Sequence, residues 1–189
     1  DLHGRLDKLA DKRVAIIGTG ATALQCIPHV AANAKHTYVV QRTPSSVDER
    51  RNAETDPEWA ASLKPGWQDE RISNLSSVFS GVPMKEDLVA DGWTDMMKNI
   101  NNLAGNAMAS GQLNKRPIEE LVEIADFQSM ERIRNRVDDV VEDKETAGKL
   151  KAYFRKLCKR PAFHDEYLKS FNRPNVDLLD TDGQGVSRI

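Results

Sequence analysis

Cysteine is scarce in this chain. Only Cys26 and Cys158 occur among its 189 residues, which is too few for a disulfide framework and is typical of a reducing compartment. We therefore expect a cytoplasmic protein. The four histidines show no metal-ligand spacing with either cysteine, so we expect no metal site.

Long apolar runs and a large excess of one charge are absent as well. No run approaches the roughly 20 apolar residues that cross a bilayer, and the net charge of −2 gives no general attraction to nucleic acids or acidic membranes. We therefore expect neither a membrane nor a nucleic acid as a partner. With 39% hydrophobic and 30% charged residues, the composition is that of a globular domain with one sizeable core.

The elements near the start of the chain predict a parallel sheet. A short apolar strand is predicted at residues 13–17 (RVAII), and a helix follows from Ala21 to Ala32. We expect Asn33 to end this helix in a left-handed conformation. A second strand, rich in residues that favour β structure, is predicted at residues 37–41 (TYVVQ). Together these elements form a βαβ unit, whose two strands run parallel.

The middle of the chain has a different character. After a polar loop at residues 45–55, nearly every segment favours helix until the last third of the chain. Strand character returns at residues 175–179 (NVDLL), which we predict to be a third parallel strand. Asp182-Gly183 indicates a turn, and residues 185–189 are typical of the start of a hairpin strand.

These patterns divide the chain into three parts. Residues 1–12 are interpreted as a linker, and residues 13–48 together with 151–189 as one α/β domain of the Rossmann-like type. Residues 49–150 are interpreted as a mainly helical insertion into that domain.

A glycine motif lies between the first strand and its helix. The pattern Gly18-x-Gly20-x-x-Ala23 stands where a dinucleotide-binding fingerprint belongs. Gly18 permits the tight turn, Gly20 lets the backbone approach a pyrophosphate, and Ala23 allows close packing of helix on strand. The N–H groups and the dipole of the helix would then hold the phosphates. A bare pattern of this kind also occurs in purely structural turns, but its place between two predicted strands favours cofactor binding.

The end of the second strand distinguishes between the two nicotinamide cofactors. An NAD site usually has an acid about 20 residues after the first glycine, which binds the ribose 2′-hydroxyl. The comparable position here is Arg42, followed by Thr43. An arginine pairs with a 2′-phosphate and offers NAD no acceptor. The sequence therefore predicts NADPH, and the alternative is a solvated arginine at a strand end.

Two blocks of this sequence resemble the NADPH domain of Baeyer–Villiger flavin monooxygenases. The first block joins residues 18–25 (GTGATALQ) to residues 41–46 (QRTPSS). The second joins residues 158–167 (CKRPAFHDEY) to residues 170–176 (SFNRPNV). The similarity covers essentially the whole chain and has the character of the subgroup that acts on bulky ketones, including large cyclic and steroid ketones.

The resemblance implies roles for individual residues. Contacts to NADPH would come from the glycine turn and the start of the helix, namely Gly18, Thr19, Gly20, Ala21, Thr22, Ala23 and Gln25. Arg42 and Thr43 would hold the 2′-phosphate, helped by Lys159. Arg160 would match the active-site arginine that reaches the flavin ring and stabilises a negatively charged peroxyflavin. From spacing alone, Lys159 and Arg160 would only be basic residues matched to the dipole of a preceding helix.

The same resemblance implies the activity of a larger enzyme. NADPH would reduce FAD, and the flavin peroxide formed with O₂ would insert oxygen beside a ketone carbonyl, giving an ester or a lactone. The glycine-rich FAD-binding segment of the family is not found in these residues. We therefore expect an internal piece with an incomplete sheet, whose partner is the FAD domain of the same chain and which is inactive alone. Two alternatives stay open: another flavin monooxygenase, of the nitrogen- or sulfur-oxidising kind, and a non-catalytic NADP-binding module.

Overall fold

The computed structural model describes residues 6–82, 84–95, 97–99, 102 and 118–188. The chain divides into two compact units, one formed by Asp1–Glu49 with Met130–Ile189 and the other by Arg50–Ser129. The helical residues from Met130 onward pack into the core of the first unit. The division into a domain at residues 13–48 and 151–189 with an insertion at residues 49–150 stays a prediction.

The first unit contains a three-stranded parallel sheet. Along the chain, the described strands of this unit are β1 (Arg13–Ile17), β2 (His36–Gln41), β3 (Val47–Asp48), β4 (Ala162–Phe163) and β5 (Val176–Asp180). The main sheet has the order β1-β2-β5, with both neighbouring pairs parallel. The α/β class and the three predicted parallel strands are therefore confirmed. The pair β3-β4 forms a separate small parallel sheet, which the sequence did not predict.

Helix α1 (Ala21–Asn33) supplies much of the core of the first unit. Leu24, Ile27 and Ala31 recur at helical spacing, and all three are buried. They pack in one cluster with the buried Val39 of β2. The alternation of buried and half-buried residues along β2 shows that one face of the sheet carries this core.

The C-terminus of α1 differs from the prediction. The capping residue is Ala34, in an extended conformation with φ −82°, so the left-handed ending expected at Asn33 is wrong. The side chain of Asn175 donates to the carbonyls of Ala31 (2.9 Å) and Ala34 (3.0 Å). Because Asn175, in the turn before β5, donates hydrogen bonds to these carbonyls, they do not need the donors that a left-handed cap would supply.

The helix-rich segment contributes to both units. The second unit contains α2 (Pro57–Ser62) and α3 (Trp67–Phe79), and α4 (Ile118–Val140) begins there. The last part of α4 and all of α5 (Lys144–Leu150) belong to the first unit, where they add apolar residues to the core around α1. Among the described residues, no helix has the length and apolar character needed to span a bilayer.

An ion cluster around the buried Asp48 and Lys156 ties β3 to the segment that contains β4. Asp48 accepts hydrogen bonds from both terminal nitrogens of Arg132 (2.9 and 2.5 Å), and its carboxylate lies 3.5 Å from Nζ of Lys156. Its backbone carbonyl accepts from the N–H of His164 (2.9 Å). Burial raises the pKa of Asp48, but the hydrogen bond and the charge of Arg132 outweigh that effect and lower the pKa. The chain between Lys156 and His164 is thereby held at both ends.

Candidate functional site

A tight turn joins β1 to α1 and is bound to the chain that follows β2. Gly18 has φ +99°, a conformation that L side chains rarely adopt, and its N–H donates to the carbonyl of Val40 (2.8 Å). The buried Thr19 donates from Oγ1 to the carbonyl of Thr43 (2.9 Å). The carbonyl of Thr19 in turn accepts from the hydroxyl of Ser45 (2.5 Å). These bonds fix the glycine turn against the residues after β2.

The first turn of α1 presents backbone donors to open space. Gly20 is the N-cap residue, with φ −77° and ψ −180°, and it provides no side-chain cap. The first turn contains no acidic residue, and a Cβ at Gly20 would meet no atom within 4 Å. The orphan N–H groups and the positive end of the helix dipole make this a favourable place for an anion.

A cavity of about 430 Å³ opens at the carboxyl ends of β1 and β2. In open parallel sheets this edge is where ligands bind. The lining includes residues from the glycine turn, from the chain after β2 and from the segment before β4. Those that the sequence had indicated as NADPH contacts are Gly18, Thr19, Gly20, Arg42, Thr43 and Lys159. The fold therefore gathers most of the predicted cofactor-binding residues around one space.

Two cations reach this cavity from distant parts of the sequence. Arg42 directly follows β2, and Lys159 follows the 3₁₀ helix Lys156–Cys158. Nζ of Lys159 lies 4.6 Å from the centroid of the Phe154 ring, which is a cation–π distance. Within the described part of the chain, no carboxylate lines the cavity. The charge of the site therefore favours an anion.

The remaining predicted residues lie outside the lining. Ala21, Thr22 and Ala23 form the first turn of α1, and Gln25 donates from Nε2 to the carbonyl of Ala21 (3.2 Å) within the helix. Arg160 follows Lys159 directly, but it is exposed and does not line the cavity. Its role beside a flavin stays a prediction.

The loop after β5 supplies a wall of the cavity that the sequence analysis missed. Gly185 and Val186 line the cavity, and the N–H of Gly183 donates to the carbonyl of Arg42 (3.1 Å). The expected start of a hairpin strand is wrong for residues 185–188, which form no strand, since Gly185 has φ +78°. Ile189 lies outside the described residues. The Asp182-Gly183 turn signal was the only local hint that the chain bends back here.

The chain matches curated proteins over its full length, although no protein-family model matches it. It is 53% identical over 189 residues to neopentalenolactone D synthase of Streptomyces avermitilis, covering 100% of this chain and 32% of that protein. It is 52% identical over 192 residues to Baeyer–Villiger monooxygenase ATR8 of Stachybotrys chlorohalonatus, covering 100% of this chain and 30% of that protein. The chain thus spans about a third of the length of the curated relatives it matches.

Solved structures show the same similarity. The polycyclic ketone monooxygenase of Thermothelomyces thermophila superposes with a TM-score of 0.76 at 41% identity, over 96% of this chain and 30% of that one. OTEMO in complex with FAD and NADP superposes with a TM-score of 0.66 over 95% of this chain and 34% of that one. At 24% identity the latter shows the fold alone. The resemblance to Baeyer–Villiger monooxygenases that the two sequence blocks indicated is confirmed.

Proposed function

We propose that this chain is the NADPH-binding part of an FAD-dependent Baeyer–Villiger monooxygenase, which inserts one oxygen atom of O₂ beside the carbonyl of a ketone. The observation that carries the proposal is the cavity at the edge of the parallel sheet, which the glycine turn shares with Arg42, Thr43 and Lys159. The similarity of the whole chain to a protein named as a Baeyer–Villiger monooxygenase supports the reaction class. The proposal includes three partners, namely the ketone, O₂ and an FAD domain of the same chain. It also includes a cytoplasmic location.

The residues around the cavity fit a dinucleotide with a 2′-phosphate. The open N-terminus of α1 and the uncrowded Gly20 would accept the pyrophosphate, since backbone N–H groups and the dipole both favour an anion there. Arg42 can bind a phosphate through two parallel N–H···O bonds, and Thr43 adds a hydroxyl donor. Lys159 adds a second positive charge. Because no carboxylate among the described residues lines this cavity, a ribose 2′-hydroxyl would find no strong acceptor.

The chain's own contribution to the reaction would be binding and orientation. NADPH supplies a hydride when it is bound, and the fixed glycine turn would hold its pyrophosphate at the edge of the sheet. Arg160 adjoins Lys159 and carries a permanent charge, which would stabilise negative charge that develops during oxygen transfer. The anchoring of the surrounding segment through Lys156 and His164 would limit the movement of both residues.

The proposal is tested by calorimetric titration of the chain with NADP⁺ and with NAD⁺. We expect NADP⁺ to bind roughly 10–100 times more tightly, which corresponds to one or two charge-assisted hydrogen bonds. Arg42→Ala should abolish that preference. Arg173→Ala is the matched control, because Arg173 is an exposed arginine outside the cavity lining. Equal binding of the two cofactors to the unmodified chain, or binding of neither, would contradict the proposed cofactor.

A further inference from the structure

The chain after β5 forms a loop that is clamped on the end of β2. The carbonyl of Gln41 accepts from both the N–H and the hydroxyl of Thr181 (2.8 and 3.0 Å). The carbonyl of Arg42 accepts from the N–H of Gly183 (3.1 Å), and the N–H of Gly185 donates to Oγ1 of Thr181 (2.9 Å). The loop is therefore fixed to the backbone of Arg42, the arginine that lines the cavity.

Two glycines of this loop have nearly the same positive φ but differ in their surroundings. Gly183 has φ +79° and Gly185 has φ +78°. A Cβ at Gly185 would lie 3.6 Å from Cδ of Arg42, whereas a Cβ at Gly183 would meet no atom within 4 Å. Gly185 also lines the cavity, and Gly183 does not. A Cβ at position 185 would therefore contact the stem of Arg42, and a Cβ at position 183 would not.

The guanidinium of Arg42 is available for a ligand. Within the described part of the chain, its side chain takes part in no hydrogen bond or ion pair. An acidic residue placed against the stem of Arg42 would bind the guanidinium in two parallel hydrogen bonds, which is the geometry that a phosphate uses. The same carboxylate would be an acceptor of the kind that NAD sites use for the ribose 2′-hydroxyl.

We propose that Gly185 is a specificity-determining residue for NADP(H), because the absence of a side chain at this position keeps the Arg42 guanidinium free for a 2′-phosphate. The inference rests on the proposed function, in which Arg42 holds that phosphate. It adds that the preference depends on a loop more than 140 residues further along the chain, whose contacts with β2 set the distance between position 185 and Arg42.

The test compares Gly185→Asp with Gly183→Asp. Both variants add the same charge at a position of positive φ in one loop, and only a Cβ at position 185 would contact the side chain of Arg42. Calorimetric titrations with NADP⁺ and NAD⁺ measure affinity, and thermal denaturation measures folding. For Gly185→Asp we expect a loss of roughly tenfold in NADP⁺ affinity, because a charge-assisted hydrogen bond is lost, and no loss for NAD⁺, which has no 2′-phosphate. For Gly183→Asp we expect the preference for NADP⁺ to persist.

The outcomes separate this inference from the proposed function. If the unmodified chain prefers NADP⁺ and Gly185→Asp keeps that preference, or if both variants lose it equally, the role of Gly185 is overturned and the proposed function stands. If the unmodified chain shows no preference, both proposals are overturned. If Gly185→Asp does not fold, Gly185→Asn decides, since asparagine tolerates positive φ well. Its amide oxygen can also accept from the guanidinium, so we expect a smaller loss, and no loss would overturn the role of Gly185.

Discussion

The two glycines of the turn between β1 and α1 should respond differently to alanine. Gly18 has φ +99°, whereas Gly20 has φ −77° and ψ −180°, which any residue can adopt. A Cβ would meet no atom within 4 Å at either position, so packing does not distinguish them. We expect Gly18→Ala to lower the free energy of unfolding by about 1–2 kcal/mol through backbone strain. Gly20→Ala should change it by less than about 0.5 kcal/mol, because the lower entropy of the unfolded chain is offset by the preference of an N-cap position for glycine over alanine.

Cofactor affinity, in contrast to stability, should respond strongly to Gly20→Ala. Its new Cβ would occupy the space at the N-cap of α1 where we place the pyrophosphate, so NADP⁺ affinity should fall by roughly tenfold or more. Thermal denaturation and calorimetric titration of the same preparations measure both effects, and 1 kcal/mol corresponds to roughly 2–4 °C in Tm for a chain of this size. A Gly20→Ala variant that binds NADP⁺ as tightly as the unmodified chain would refute the reasoning. Glycine would then not be required there for the approach of the ligand.

Other substitutions test the packing that supports the site. Asp48→Asn should lower the free energy of unfolding by about 2–4 kcal/mol in urea titrations, because the buried Lys156 loses a counter-charge. Since the folded-state pKa of Asp48 is lowered, this stabilisation is present above the unfolded value of about 3.9 and is lost as the pH falls through the folded value. The urea midpoints of the unmodified chain and Asp48→Asn should therefore converge in acid. Asp143→Ala removes the acceptor for a first-turn N–H of α5 (2.7 Å) and should cost about 1 kcal/mol, measured as a lower Tm. Ile27→Ala, at a fully buried position, should cost about 2–5 kcal/mol in urea titrations, whereas Ile72→Ala, at a position that is 62% exposed, should change stability by less than about 0.5 kcal/mol.

The start of the first unit could be predicted because its signals are local. The apolar run of β1 is bounded by Gly18, and the predicted helix from Ala21 differs from α1 by one residue at its end. Helical spacing also selected the buried face of α1. Arg42 could be placed at the cavity because it directly follows a predicted strand, and the carboxyl ends of parallel strands share one edge of the sheet.

The other features of the fold and of the site depend on contacts between residues that are far apart in the sequence. The strands Val47–Asp48 and Ala162–Phe163 contain two residues each, which is too short for any periodic pattern to appear. The wall formed by Gly185 depends on hydrogen bonds to the end of β2, so no local pattern indicates it. Lys159 was placed at the cofactor through family resemblance alone, because its spacing indicated only a basic helix end.

The most direct test of the account observes the 2′-phosphate itself. The second pKa of a phosphate monoester is about 6, and neighbouring cations such as Arg42 and Lys159 should lower it by favouring the dianion. Phosphorus NMR of NADP⁺ saturated with the chain, recorded as a function of pH, follows this group separately from the pyrophosphate. We predict a 2′-phosphate pKa below that of free NADP⁺, and a return toward the free value in Arg42→Ala. A 2′-phosphate that titrates as in free NADP⁺, while the pyrophosphate signals shift on binding, would contradict the account.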